Sequence, residues 1–395
     1  MSHRRLHLRL LIAGFVLSLI ASACGSVSSD TVKIAVSFPQ GIEIGKDMVR
    51  GAQMAFDEAK GKAGRYNVVL IISDSSDPKG SPVSNDFEIA NAKNAIADSG
   101  IVAYLGTATS GQARSVMALL NAAQMTEVAP STTWPGLTKP GFGAGEPGIY
   151  YPTGRRHFFR LVPSDEVQGL VAAKWIVQLG AKSVYIISDG SPYGEGLAGI
   201  FEANAPDQKL KVLGHDRYDP AKAQPDEVKA LAAKIVAAKP DALYYPANLQ
   251  GDFQLMVEVR ALEPKILIMG GDGLVGEDVS SQAKPLEGIY ATNTSLDADQ
   301  LDSASTFLKN FQAAYGKKPP AFAMVTYESM KVLLKAIERA DSPTREAVLN
   351  AMGKLGDFTG VLGTWHFDDN GDINQTAISG LQFQNGQWKT ITVIR

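Results

Sequence analysis

The sequence predicts an α/β protein of two lobes, each a parallel sheet covered by helices. Three observations carry this. The chain has 395 residues with 45% hydrophobic and 20% charged, an ordinary globular composition on a length too great for one compact core. Short β-branched runs alternate with amphipathic stretches from Thr31 onward, the order that builds parallel sheets through right-handed crossovers. The alternation starts twice, at Thr31 and again near Lys182.

The strand candidates are Val32 to Phe38, Asn67 to Asp74, Ile101 to Gly106, Ser183 to Asp189, Ala242 to Tyr245 and Ile266 to Gly270. Runs such as Val68-Val69-Leu70-Ile71-Ile72 lack polar alternation, so they read as strands buried on both faces. Met48, Ala52, Ala55, Phe56 and Ala59 recur at helical spacing and form one apolar helix face. The string Ile-Ile-Ser-Asp ends a strand at 71 to 74 and again at 186 to 189, weak support for two similar lobes. A Gly- and Pro-rich loop, Pro135 to Arg155, precedes the expected first crossing between them. Ligands of open parallel sheets sit beyond the carboxyl ends of the strands, so the residues just after each strand are where function is expected.

Residues 1 to 23 read as an export signal: Arg4, Arg5 and Arg9, then an apolar run from Leu10 to Ile20, then Ala21, Ser22 and Ala23 before Cys24. The run falls well short of the ~20 residues of a spanning helix. Ala21-Ser22-Ala23-Cys24 resembles the bacterial lipobox, in which the cysteine is acylated and becomes the first residue, although Ala21 stands where a larger aliphatic is usual. Cys24 is the only cysteine. Residues 24 to 30 would then be a lipidated Ser/Gly tether.

Composition and motifs exclude several classes. A net charge of −3 without a basic block beyond residue 10 gives no footprint for nucleic acid. The five histidines are scattered, so no metal site is expected. No Gly-x-Ser-x-Gly elbow, P-loop, strand-led Gly-x-Gly-x-x-Gly or His-Glu-x-x-His occurs. No enzyme and no cofactor are predicted. Hydroxyls cluster just beyond the strands instead: Thr107, Thr109 and Ser110 after the third, then Ser131, Thr132 and Thr133 after the fourth. Hydroxyls and free N–H groups that open a helix suit a carboxylate, though each could equally be a plain N-cap.

Several segments in order resemble the branched-chain amino-acid (leucine/isoleucine/valine) binding proteins of ABC importers, over nearly the whole chain after residue 30. They run from Val32-Lys33-Ile34-Ala35-Val36 through Arg50-Gly51-Ala52, Asp77-Pro78-Lys79, Leu105-Gly106-Thr107 and Ala129-Pro130-Ser131-Thr132-Thr133. They continue with Phe159-Arg160, Asp165, Gln168-Gly169, Tyr193-Gly194-Glu195-Gly196 and Met269-Gly270-Gly271-Asp272-Gly273. Gly360-Val361-Leu362-Gly363 and Phe367-Asp368-Asp369-Asn370-Gly371-Asp372 also fit. The resemblance implies the type I periplasmic binding protein fold, two Rossmann-like lobes joined by a three-crossover hinge. With crossings near residues 160, 290 and 370, lobe 1 would be 31–159 plus 291–369 and lobe 2 would be 160–290 plus 370–395.

Carried over residue by residue, the resemblance puts the ligand carboxylate on the Ser110 hydroxyl and on the hydroxyl and N–H of Thr133. The Ser131 carbonyl and Asp272 would take the ligand ammonium, and a buried ammonium needs such a carboxylate. Tyr193 would cover the ligand from lobe 2. Asn248 stands where the family often has a second tyrosine, and Ile44 aligns with an aromatic of the first lobe. Ser76 and Thr109 replace a cysteine pair found in some members. The implied function is an extracytoplasmic solute-binding lipoprotein that closes its lobes on a small amino acid and delivers it to an importer permease. Two alternatives stand beside it: an amide, urea-like or carboxylic-acid binder on the same fold, and a sensing receptor domain, which would call for a transmembrane segment after the lobes.

Overall fold

The computed structural model describes residues 30–80, 83–220, 222–248, 253–275 and 283–395. The export signal and Cys24 lie outside them. Two sheets form, and β-branched runs make their central strands. The first has the order β2-β3-β1-β4-β5-β6, with β1 Thr31–Phe38, β2 Lys62–Ala63, β3 Tyr66–Asp74, β4 Ile101–Leu105, β5 Thr126–Ala129 and β6 Phe158–Arg160. The second has the order β15-β14-β11-β10-β9-β7-β8. Its strands are β7 Ser183–Ser188, β8 Lys211–Arg217, β9 Ala242–Tyr244, β10 Leu267–Gly270, β11 Tyr290–Asn293, β14 Ile378–Gln384 and β15 Gln387–Ile394. A small hairpin, β12 Phe358–Gly360 and β13 Gly363–Trp365, stands apart. Pairing is parallel throughout the expected strands. The short β2 and the β14–β15 hairpin add antiparallel edges.

Helices cover both faces of each sheet. In the first lobe, α1 Glu43–Glu58 buries the predicted face of Met48, Ala52 and Ala55 against the sheet and against the long α9 Ala321–Arg339. On the other face α2 Asn85–Ala97 and α3 Ser110–Ala122 contribute Ala92, Ala95, Val116 and Leu120. In the second lobe α4 Asp165–Gln178 and α5 Pro192–Asn204 pack on one face. There α6 Pro225–Ala237 and α7 Gln254–Leu262 pack on the other. The helices α8 Ser305–Tyr315 and α10 Arg345–Met352 return to the first lobe, where Phe307, Phe311, Val348 and Met352 join its core.

Three details of the sheets differ from the reading of the sequence. β3 is not covered on both sides: it lies at the rim, and Val69, Ile71 and Ile72 are exposed, because β2 shields only Tyr66 and Asn67. Tyr290–Asn293 pairs with β10 and β14, so residues 291–293, expected in lobe 1, stand in the second sheet, just past the crossing expected near residue 290. The repeated Ile-Ile-Ser-Asp ends β3, which follows β1 and β2 in the first sheet, and β7, which is the first strand of the second sheet, so the two copies do not mark equivalent strands of the two lobes.

The chain leaves the first sheet at Arg160 and enters the second lobe at Asp165. Here a buried ion pair ties two crossings together. Arg160 donates from Nε to Asp372 Oδ1 at 2.8 Å and from Nη2 to Oδ2 at 3.1 Å. Its remaining donors reach Trp134 O and the Thr138 hydroxyl. Burial alone would raise Asp372, but the Arg160 charge and hydrogen bonds outweigh it and hold the carboxyl below its usual range.

Candidate ligand-binding site

In both sheets the strand order reverses beside the first strand of the lobe, between β1 and β4 and between β7 and β9. Parallel sheets open a crevice at that switch point. The carboxyl ends of both crevices face one cleft, lined by Ala108, Thr109, Ser110 and Ser131 from the first lobe, with Phe322 at the start of α9. Tyr193, Asn248, Asp272 and Gly273 line it from the second lobe. Five of the six residues expected to hold the ligand thus meet across the cleft: Ser110, Ser131, Tyr193, Asn248 and Asp272.

On the first-lobe side, Thr109 is the N-cap of α3 and accepts from Gln112 N, so the plain capping alternative holds for it. Ser110 then stands at the open end of the helix. Its Oγ accepts from Thr133 N at 3.2 Å and Trp134 N at 3.1 Å. Ser131 donates its hydroxyl to Ala108 O at 2.8 Å. Thr133 departs from expectation: it is buried behind Ser110, is absent from the cleft lining, and gives its N–H to that serine rather than leaving it free. The hydroxyls of Thr107 and Thr132 are buried without a hydrogen-bond partner. Ser76 and Thr109 each serve a local bond, Ser76 by accepting from Gly41 N.

On the second-lobe side the centre is Asp272, on the turn after β10. Oδ1 accepts from Tyr193 Oη at 2.5 Å and Gln168 Nε2 at 3.2 Å, and Oδ2 accepts from the Thr294 hydroxyl at 2.9 Å. Gly271 makes the first contact possible, since a Cβ there would lie 2.1 Å from Tyr193 Oη. Burial raises Asp272 above the ordinary aspartate range, and its three hydrogen bonds oppose the rise. Asp165, in the first turn of α4, is driven up further by burial and then by the charge of Asp272. The nearby Thr133 hydroxyl and the Arg160 charge oppose the rise, but no hydrogen bond of ordinary geometry reaches either oxygen. Asn248 is fixed by its backbone, N to Asp189 Oδ2 at 2.6 Å. Asp189 also caps the start of α5 through Ser191, which orients Tyr193.

Sequence reasoning missed Phe322, Gln168, Thr292 and Thr294 as parts of the site. Phe322 could have been found, because Pro319-Pro320 marks a helix start and helix starts are where the cleft lies. Thr292 and Thr294 sit on and just after a strand too short to stand out. The lobes also touch beside the cleft: a Cβ on Gly196 of α5 would lie 2.3 Å from the Trp134 ring.

The result is a wall of hydroxyls and a helix start facing a wall with a buried carboxylate and an aromatic, across two α/β lobes. Such an arrangement defines a two-lobed binding protein for a small polar solute. Comparison with known proteins agrees: residues 33–387 match the family model described as periplasmic binding protein. The chain belongs to the periplasmic binding protein family, a family of extracytoplasmic solute binders. It is 28% identical over 374 residues to a Leu/Ile/Val-binding protein homolog 1 of Brucella suis, covering 92% of each chain. It is 25% identical over 379 residues to a leucine-, isoleucine-, valine-, threonine- and alanine-binding protein of Pseudomonas aeruginosa, covering 93% of this chain and 92% of that one. Its fold is that of a leucine-binding protein from Thermotoga maritima (TM-score 0.81, 24% identity, 92% and 99% coverage). It is also that of LivJ from Streptococcus pneumoniae in complex with isoleucine (TM-score 0.78, 23% identity, 92% and 99% coverage). Among the described residues no helix is long and apolar enough to cross a membrane, and no cluster of metal-ligating side chains occurs.

Proposed function

We propose that this chain binds an α-amino acid, of the branched-chain or a similarly small class, between its lobes and delivers it to an ABC importer. The observation that carries the reading is the facing of Ser110 and Ser131 with Asp272 and Tyr193 across one cleft. A zwitterion needs neutral donors for its carboxylate and acceptors, one of them charged, for its ammonium; the Ser110 hydroxyl at the helix start offers the first, and the Ser131 carbonyl with Asp272 the second. The names of the relatives point to the same ligand class. In the present arrangement the cavity amounts to about 20 Å³, room for about one water. A ligand of amino-acid size therefore enters by parting of the lobes, and the crossings near Arg160, Asn293 and Asp372 act as the hinge. The division of the chain into lobes and the role of each site residue are part of this proposal.

The export signal and Ser-Ala-Cys24 support a lipid anchor that holds the protein outside the membrane beside its permease. Fatty-acid labelling that disappears in Cys24→Ser supports the anchor, and labelling that persists overturns it. For the ligand, the test is a thermal-shift screen of amino acids, amides and simple carboxylic acids, with calorimetry on each hit, because a ligand that binds only the folded state raises Tm by mass action. A response to carboxylic acids with none to any amino acid replaces the amino-acid reading with the carboxylic-acid one.

A further inference from the structure

The rim of the first sheet carries an arrangement that the cleft does not use. β1 pairs with β3 in continuous register from Thr31↔Asn67 to Phe38↔Asp74. On the far side β2 meets only Tyr66 and Asn67, and Gly61 O takes the N–H of Val68 at 2.8 Å. Beyond Val68 no described strand pairs with this edge. Asn67 donates its N–H to Asp30 O on the β1 side. Backbone direction alternates along a strand, so Leu70 and Ile72 turn their N–H and C=O groups outward. Val69, Ile71 and Ile72 are 42%, 37% and 43% exposed, with Phe87 of α2 at 40%. From Val68 to Ser73 there is no charge, proline or glycine, and the register shows no bulge. Among the described residues, none of the usual protections of an edge strand covers this stretch beyond Val68.

We propose that this rim is a homodimer interface in which β3 pairs antiparallel with β3 of a second copy about a two-fold axis at Ile71. With Ile71 opposite itself, Leu70 of each copy faces Ile72 of the other. Both of these pairs have outward backbone groups, so the register forms four N–H···O=C bonds without moving either strand. The axis also brings Asp74 of one copy opposite Val68 of the other, against the Gly61–Lys62 corner that ends the free edge. Lys60 and Lys62 are exposed there, and neither forms an ion pair among the described residues. Asp74 and Asp77, at the opposite end beside the exposed Lys79, form none either. The two-fold thus sets the lysine end of each copy on the acidic end of the other. This self-complementary charge pattern is what selects a second copy over an unrelated strand.

The test uses the full chain in detergent. Opposed residues of a non-hydrogen-bonded antiparallel pair have Cα atoms about 4.5 Å apart, within disulfide reach. Ile71→Cys should therefore run at twice the monomer mass on a non-reducing gel and return to monomer on reduction. The parent, with only Cys24, should not. Ile72→Cys should stay monomeric, its symmetry mate lying beyond the roughly 7 Å limit. Light scattering should give a dimer for the parent and a monomer for Ile71→Lys, with ligand affinity unchanged. A parent that stays monomeric up to about 100 μM, where a micromolar interface would be filled, overturns the proposal and leaves the edge to a strand from another protein. A dimer that cross-links through Phe87→Cys but not Ile71→Cys overturns the register and with it the proposal.

Discussion

Replacing Asp272 with Asn isolates the charge that the proposed amino-acid site needs. In the parent, Oδ1 accepts from Tyr193 and Gln168 and Oδ2 accepts from the Thr294 hydroxyl. Asn keeps an acceptor at the first position, and the Thr294 hydroxyl can turn to accept from the new amide at the second. The substitution therefore removes a buried charge without removing its hydrogen bonds, and the unliganded Tm should hold or rise. Binding should respond differently. Taking one partner from a buried ion pair costs about 3 to 5 kcal/mol, and at about 1.4 kcal/mol per factor of ten the Kd should rise by about two to three and a half powers of ten. Ser110→Ala provides the contrast. Losing a hydrogen bond to a ligand carboxylate costs about 1.5 to 3 kcal/mol. Because Ser110 Oγ also holds Thr133 N and Trp134 N, this variant should melt earlier as well. Calorimetry with the cognate ligand, beside a melting curve of each variant, reads both effects. Asp272→Asn binding within about threefold of the parent, under about 0.7 kcal/mol, would falsify the ammonium assignment.

Two further predictions concern the buried charges that hold the frame. Arg160→Gln should cost about 3 to 5 kcal/mol in urea unfolding, because it leaves the buried Asp372 with Lys139 at 3.7 Å as its cationic partner and the Thr138 hydroxyl at 3.1 Å as a donor. The double variant Arg160→Met with Asp372→Leu should recover most of the loss, and a double that is as unstable as the sum of its parts would refute the pairing. Glu88, buried among Ser37 and Tyr104, is pushed up to about 7 by burial. The folded protein thus keeps a proton that the unfolded chain releases above about pH 4.5. The Glu88 contribution is therefore most favourable below that pH and is lost as pH rises towards 7, by up to about 3 kcal/mol. Glu88→Gln should flatten the stability profile over that window, and an unaltered profile would rule the group out.

How far the sequence led depended on the range of the signal. The six strand candidates were legible because an uninterrupted β-branched run is itself the mark of a covered parallel strand. The same rule misread Val69, Ile71 and Ile72, since whether a neighbour lies on the far side of β3 is a matter of sheet order and not of local composition. β6, only Phe158–Arg160, and β11, only Tyr290–Asn293, are too short for any periodicity. Ser110 stood out in the hydroxyl cluster beyond the third strand, where a helix start leaves donors free, whereas Asp272 took its role from the family resemblance. Thr133 lies behind Ser110 in the present arrangement. Its position after β5 was right, but which of Ser110 and the ligand takes its N–H is decided by a helix about twenty residues away. Arg160 and Asp372 could be noticed as residues, yet their pairing spans 212 positions, and no local pattern encodes that.

The two carboxylates beside the cleft should make binding depend on pH, and the hydrogen-bond geometry says which of them is responsible. Burial raises both, and the charge of Asp272 raises Asp165 further, so the pair resists carrying two charges at once. Asp272 has three donors aimed at it, whereas neither oxygen of Asp165 has a hydrogen bond of good geometry. The remaining charge therefore resides on Asp272, and Asp165 holds the proton. An ammonium ligand binds the ionised form of Asp272, so affinity should weaken as pH falls through the range in which that group takes up its proton. The Kd should then rise about tenfold per pH unit once protonation dominates. Asp165→Asn, which replaces an already neutral acid, should bind within a few-fold of the parent and keep the pH slope. Asp272→Asn should bind weakly and lose the slope. If Asp165→Asn instead weakens binding as much as Asp272→Asn, the charge is shared differently between the two, and the ammonium is held by the pair rather than by Asp272.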